Sequence, residues 1–107
     1  MTIYNFKNHT KGDTFRAKQW ILGFDVTGAT LKMQFKIAGA SNVSFEWSTV
    51  DNSILVTDVS TGTIVMTKRI LDFKPSTYVY DFQVTDSNGD LTTYFKGFIL
   101  IEQDITV

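Results

Sequence analysis

The 107-residue sequence contains no cysteine, so neither disulfide bonds nor thiolate metal ligands can contribute to its structure. This absence suits a protein made in a reducing cytoplasm. One proline and seven glycines are too few for a collagen-like chain or a flexible linker. Aromatic residues are plentiful, with nine Phe, four Tyr and two Trp to fill a core. The length and composition therefore predict a single domain over residues 1–107, long enough to fold without cross-links.

The sequence also lacks a strong charge of either sign and a long apolar run. Its net charge is −1, and the longest basic run is Lys68-Arg69. A nucleic-acid groove needs a concentrated basic stripe, so we expect no nucleic-acid partner. No stretch approaches the roughly 18 apolar residues of a membrane span, and MTIYNFKNHTKGD has no apolar signal-peptide region. We expect no membrane partner and no secretion by a signal peptide.

Groups that carry catalysis or bind metals are scarce. His9 is the single histidine, and no motif around it indicates a triad or a metal site. The stretch DSNGD, residues 86–90, has oxygen ligands at alternate positions. It lacks the closing glutamate and the flanking helices of a calcium loop. We expect no enzyme, no catalytic residue, no metal and no cofactor.

Apolar and polar residues alternate with a period of two through most of the chain, as in half-buried β-strands. Glycine-containing turns separate the alternating runs at spacings typical of a β-sandwich. The stretch KRILDFKP, residues 68–75, fits either a helical turn or a short edge strand, so the structure of residues 67–76 is left open. We predict an all-β sandwich with strands near residues 2–8, 14–22, 30–38, 43–48, 53–57, 62–67, 77–86 and 91–102.

Asn88-Gly89, between the last two strands, predicts a two-residue hairpin turn in which both residues take positive φ. The register follows by counting outward from the turn. Asp81 then has a cross-strand cation in Lys96, and the ring of Tyr80 is expected to fill the gap left by Gly97. The predicted pairs are Tyr78–Ile99, Val79–Phe98, Tyr80–Gly97, Asp81–Lys96, Phe82–Phe95 and Gln83–Tyr94.

The last strand, in LTTYFKGFILI (residues 91–101), is apolar on both faces. Only one face of a sheet in a two-layer domain meets the core. The other face must be covered by a loop, the N-terminal segment, a neighbouring domain or another subunit. The sequence therefore predicts an outward interaction surface formed by Val79, Tyr94, Phe98 and Leu100.

Aromatic side chains also stack on sugars, which gives an alternative interpretation. Trp47 lies on the apolar parity of its strand and is expected in the core. Trp20 shares a parity with Lys18 and Arg16, which favours an outward position. The alternative is thus a carbohydrate- or receptor-binding module in which Trp20 contacts the glycan.

Three stretches carry a resemblance to a known family: KGDTF (11–15), DVTGATLKMQFK (25–36) and STYVYDFQVTDSNGDLTTYFKGFILIEQDIT (76–106). Together they resemble small bacteriophage and prophage proteins, which occur alone and as N-terminal modules of tail-fibre or baseplate proteins. Residues 104–106, Asp-Ile-Thr, match the closing motif. KRILDFKPS (68–76) departs from the short turn of small residues in that family.

The resemblance implies an immunoglobulin-like antiparallel β-sandwich of about seven or eight strands. It implies a non-enzymatic structural or assembly protein of the virion, in a tail, baseplate or fibre. Such a protein acts through contacts with other phage structural proteins or with its own copies, after synthesis in the bacterial host cytoplasm.

Overall fold

The computed structural model describes residues 2–103, so the predicted closing motif at 104–106 lies outside the described residues. The described chain is all-β and contains no helix, hence none long and apolar enough to cross a membrane. The strands are β1 (Thr2–Ile3), β2 (His9–Thr10), β3 (Thr14–Phe15), β4 (Lys18–Ile21), β5 (Thr30–Ile37), β6 (Phe45–Ser48), β7 (Ile54–Asp58), β8 (Thr63–Met66), β9 (Arg69–Ile70), β10 (Ser76–Thr85) and β11 (Leu91–Glu102).

The strands form several sheets around one hydrophobic core. The largest sheet has the order β1-β11-β10-β5-β6, and β2 also pairs with β11. A second sheet has the order β4-β8-β7, and β3 pairs with β9. Buried side chains from both larger sheets belong to one cluster, including Phe35 of β5, Ile64 of β8 and Ile99 of β11. The arrangement is consistent with a β-sandwich.

The period-two pattern explains which face of each strand is buried. In β5, Leu31, Met33 and Phe35 are buried, while Lys32 and Gln34 between them are half-buried. The same alternation runs through β10, whose buried side chains face the same core. The predicted alternation of β5 and β10 is confirmed, because apolar side chains on one face leave water together.

Four of the eleven strands described have only two residues, so the predicted count of about seven or eight is not confirmed. The predicted strand 14–22 is divided, because β3 pairs with β9 whereas β4 pairs with β8. The stretch that the sequence left open contains β9, followed directly by the fully buried Leu71. It is therefore a short strand and not a helical turn.

The N-terminal segment makes the sheet mixed, which corrects the expectation of a wholly antiparallel fold. Both β1 and β2 pair with β11 in parallel. Between them, the amides of Tyr4 and Phe6 donate to the carbonyls of Lys96 and Phe98 at 2.8 and 2.9 Å. The N-terminal segment thus runs parallel to β11, along the edge of β11 that β10 leaves free.

The predicted two-residue turn at Asn88-Gly89 is wrong. The amide of Asp86 donates to the carbonyl of Asp90 at 2.9 Å, so the loop between them has three residues. Gly89 has φ of 87°, but Asn88 is not among the described residues with positive φ. The side chain of Asp86 accepts hydrogen bonds from the amides of Asn88 and Asp90 at 2.9 and 3.0 Å. These bonds to the aspartate stabilise the longer loop.

A β-bulge restores the predicted register beyond the loop. The pairing shifts between Phe82 and Gln83, so Gln83 pairs with Thr93 and not with Tyr94. The extra residue of the loop and the extra residue at the bulge compensate each other. The other five predicted pairs, from Tyr78–Ile99 to Phe82–Phe95, are confirmed.

Gly97 lies opposite Tyr80 as predicted. The space left by its missing side chain is filled by the backbone of Tyr4, however, and not by the ring of Tyr80. A Cβ atom at Gly97 would overlap the carbonyl oxygen of Tyr4 and approach Oδ1 of Asn5 at 2.8 Å. The hydroxyl of Tyr80 donates to the same Tyr4 carbonyl at 2.7 Å. Glycine is required here because another backbone passes so close.

Replacing Gly97 with alanine should therefore displace the N-terminal segment from β11. We expect Gly97→Ala to lower the free energy of unfolding by about 1–3 kcal/mol, as for other overpacked sites. Urea denaturation would measure this loss, and hydrogen exchange at the amides of Tyr4 and Phe6 should accelerate.

The matched control is Gly39→Ala. Gly39 has φ of 86°, and no atom outside residues 38–40 lies within 4 Å of the position that a Cβ would take, so the added methyl causes strain but no clash with the rest of the domain. We expect a cost of about 1–2 kcal/mol with unchanged exchange at Tyr4 and Phe6. Equal exchange rates in Gly97→Ala and the wild type would contradict the proposed role of the glycine.

Candidate interaction surface

The outward face of the large sheet forms an open groove of about 810 Å³. Strands β5, β10 and β11 supply its floor. Ile3 and Asn5 of the N-terminal segment line one side, and Ser41 and Val43 from the loop between β5 and β6 line the other. The groove thus depends on the parallel docking of the N-terminal segment, which the sequence alone does not reveal.

Exposed apolar side chains lie along this groove. Phe98 is 41% exposed, Val43 is 46% exposed and Ile3 is 66% exposed. Val79 is half-buried directly opposite Phe98 in the β10–β11 pair. The amide of Phe98 donates to Oδ1 of Asn5 at 3.1 Å, so the N-terminal segment holds the backbone of Phe98 while the residue stays partly exposed.

Charged side chains flank the apolar ones. Asp81 lies between Gln34 of β5 and Lys96 of β11, and Lys36 lies one row further along. The predicted position of Lys96 beside Asp81 is confirmed, but the two do not form a salt bridge. Within residues 2–103, the one salt bridge joins Lys11 and Asp72 at 3.6 Å. Asp81 instead accepts a long hydrogen bond of 3.4 Å from Gln83.

The structure divides the four residues predicted as an interaction surface. Val79 and Phe98 lie together in the groove. Tyr94 is the extra residue at the bulge, and its ring stacks on Phe24 with 4.6 Å between centroids. Leu100 is half-buried opposite Thr77 and does not line the groove.

Ile3 and Val43 are groove residues that the sequence pattern did not predict. The parity of β10 and β11 identifies side chains on the floor of the groove, but it carries no information about the sides. Ile3 reaches the groove through a pairing with Lys96, 93 positions further along the chain. No local pattern predicts a contact over that distance.

Trp20, the predicted glycan contact, does not point outward. Lys18 and Trp20 are the half-buried residues of β4, while Gln19 and Ile21 are exposed. The indole N–H donates to the sulfur of Met66 at 3.1 Å, and the ring stacks on Phe95 at 4.9 Å. The expected outward position is therefore wrong, because the ring packs against the core. The role of Trp20 in glycan binding stays a prediction, and this geometry does not favour it.

Acidic residues in the loops act as turn-stabilising groups. Asp25, Asp51 and Asp58 each accept hydrogen bonds from the serine or threonine two positions later, which lowers the pKa of each carboxyl group. Nε2 of His9 lies 2.9 Å from the carbonyl of Asp13. In the part of the chain that the structure describes, no three His, Asp or Glu side chains are grouped to hold a metal ion.

Comparison with known proteins gives no family: no protein-family model matches the chain, and no curated protein matches it. The resemblance to phage proteins therefore stays a prediction. The function has to be inferred from the surface itself.

Tyr80, whose hydroxyl holds the N-terminal segment that lines the groove, should make the stability of the fold sensitive to alkaline pH. Burial, and secondarily the neighbouring Tyr4, raise the pKa of Tyr80 above its ordinary value. The folded state then retains a proton that the unfolded state loses above about pH 10. The stabilisation is complete below that pH and is lost as pH rises toward the folded-state pKa. We expect the free energy of unfolding, measured in urea from pH 8 to 11.5, to fall above about pH 10.

Tyr80→Phe should reduce this slope without abolishing it, because burial also raises the pKa of Tyr78. Identical slopes for Tyr80→Phe and the wild type would show that Tyr80 is not responsible.

Proposed function

We propose that this domain is a non-enzymatic structural or assembly protein of a phage particle, in a tail, baseplate or fibre, and that it acts through protein–protein contacts. The observation that carries the contact surface is the exposed ring of Phe98 beside Val79 in the groove. The assignment to a phage particle is supported by the sequence resemblance alone.

The composition of the groove supports a protein partner. Protein interfaces place apolar and aromatic side chains at the centre and polar groups at the rim. Phe98 and Val79 lie on the floor, and Lys36, Asp81 and Lys96 lie around them. A partner that covers Phe98 would remove exposed aromatic surface from water, and buried aromatic rings dominate the energetics of interfaces.

We propose a second copy of the chain as the partner, because the groove holds charges of both signs. Two cations, Lys36 and Lys96, lie in the groove with one anion, Asp81. In a two-fold dimer the same surface meets itself, so Asp81 of each copy could approach a lysine of the other. Since Asp81 and Lys96 form no salt bridge within one chain, such pairing requires no internal bridge to be broken.

We also infer an immunoglobulin-like topology. The order β11-β10-β5-β6 corresponds to the strand order of the G-F-C-C′ sheet of variable-type domains, and β4-β8-β7 corresponds to B-E-D. The hydroxyl of Tyr78, near the start of β10, donates to the carbonyl of Lys74 at 2.6 Å. A tyrosine that bonds to the backbone a few residues upstream at this corner is typical of such domains.

Phe98→Glu tests the contact surface. We expect the wild-type domain to self-associate in sedimentation equilibrium. The variant should weaken this association at least tenfold, because a buried aromatic anchor contributes about 2 kcal/mol or more. The matched control is Ile21→Glu, on β4 of the other sheet, where the side chain is 69% exposed. Circular dichroism should show that both variants fold.

Association that is equally weak in Ile21→Glu, or unchanged in Phe98→Glu, would contradict this surface. A wild-type domain that remains monomeric up to millimolar concentration would exclude the second copy as partner. The groove would then have to bind another protein of the particle.

Tyr78→Phe tests the hydrogen bond between the Tyr78 hydroxyl and the Lys74 carbonyl, on which the immunoglobulin-like comparison relies. Loss of the hydroxyl removes one hydrogen bond and leaves the Lys74 carbonyl without this donor. We expect about 1–2 kcal/mol of destabilisation and a decrease of about 4–8 °C in Tm per kcal/mol. Tyr94→Phe, at a ring that is 38% exposed, should stay within about 0.5 kcal/mol of the wild type. Equal effects of the two substitutions in thermal denaturation would contradict the structural role of the Tyr78 hydroxyl.

A further inference from the structure

A second, smaller depression lies on the opposite side of the N-terminal segment from the groove. Ile3 and Asn5 line the groove, whereas Tyr4 and Phe6 line this depression of about 240 Å³. Phe15, Arg16 and Lys18 complete its wall. The alternating side chains of one extended segment thus contribute to two separate surfaces.

Basic side chains dominate the lining of the depression. The cations Lys7, Arg16 and Lys18 line it, and no aspartate or glutamate of the described chain does. This concentration is notable because the whole chain carries a net charge of −1. A local excess of positive charge with no acidic side chain in the same lining attracts anions.

Nearby acidic residues do not neutralise these cations through ion pairs in the described chain. The carboxylate of Glu102 accepts a hydrogen bond of 2.7 Å from the side chain of Asn8. Asp13 offers its backbone carbonyl, not its carboxylate, to His9. The one salt bridge within residues 2–103 joins Lys11 and Asp72.

Aromatic rings form the floor. Phe6 is buried, and its ring lies edge-on to the rings of Tyr4 at 5.1 Å and Phe15 at 5.8 Å. Nζ of Lys18 lies 5.1 Å from the Tyr4 ring centroid and 4.9 Å from that of Trp20. Rings therefore position this lysine through cation–π contacts, which leave its ammonium group able to meet an anion as well.

We propose that this depression binds an acidic saccharide unit, whose carboxylate meets Lys7, Arg16 and Lys18 and whose ring lies against the aromatic floor. The guanidinium of Arg16 offers two parallel donors to a carboxylate. The volume is below the roughly 300–1,000 Å³ of pockets for drug-sized ligands, which favours a single sugar ring. The proposal does not depend on the groove or on its partner.

The test is a titration of ¹⁵N-labelled protein with sodium glucuronate at constant ionic strength, followed by amide chemical shifts. We expect saturable shifts at residues 4–9 and 15–18, with roughly millimolar affinity for a ligand of this size. Glucose should produce none. The double variant Lys7→Gln/Arg16→Gln should bind at least fivefold more weakly. Lys68→Gln/Lys74→Gln, which removes the same charge outside the depression, should bind like the wild type.

Three results would overturn the proposal. The first is an absence of saturable shifts with glucuronate, and the second is an equal loss of affinity in the two double variants. The third is binding of a glutamate-rich peptide without binding of glucuronate, which would make the depression a site for acidic polypeptides. Phe98→Glu should leave glucuronate binding unchanged, so failure at the groove and failure here are distinguishable.

Discussion

The carbonyl group of Tyr4 lies in the gap that Gly97 leaves in β11, where it accepts a hydrogen bond from Tyr80. This contact joins the N-terminal segment to the two longest strands of the domain. Hydrogen bonds that the backbone amides of Tyr4 and Phe6 donate to β11 extend the attachment in both directions. Because alternate side chains of the segment face opposite sides, the groove and the basic depression both depend on this attachment.

Interlocking aromatic rings hold the core together in a chain without cysteine. Phe35 stacks on Phe45 at 4.8 Å and on Tyr80 at 4.8 Å, and its ring meets Trp47 edge-on at 5.5 Å. Such pairs add to the stabilisation that burial itself supplies. The indole N–H of Trp47 donates to the carbonyl of Thr67 at 2.9 Å, which joins the large sheet to the end of β8. Large buried rings with satisfied polar atoms thus replace covalent cross-links.

The sequence predicted local pairing well and long-range docking poorly. Alternating hydrophobicity identified β5 and β10, because solvent exposure of a strand repeats every two residues. The hairpin register was confirmed although the loop was wrong, since Asp86 lengthened the turn and the bulge at Tyr94 absorbed the extra residue. Trp20 was misplaced because parity alone does not say which side of an isolated strand meets the core. The groove side at Ile3 was missed because its partner lies at the far end of the chain.

The parallel arrangement of the N-terminal segment and β11 has a mechanical consequence. Thr2 lies beside Phe95 and Thr10 lies beside Glu102. Residue 2 and residue 103 are therefore at opposite ends of the paired region. Tension applied between residue 2 and residue 103 would load the hydrogen bonds between the two strands in shear, all at once, and would not peel them apart one by one. The domain is therefore arranged to resist stretching along its own chain.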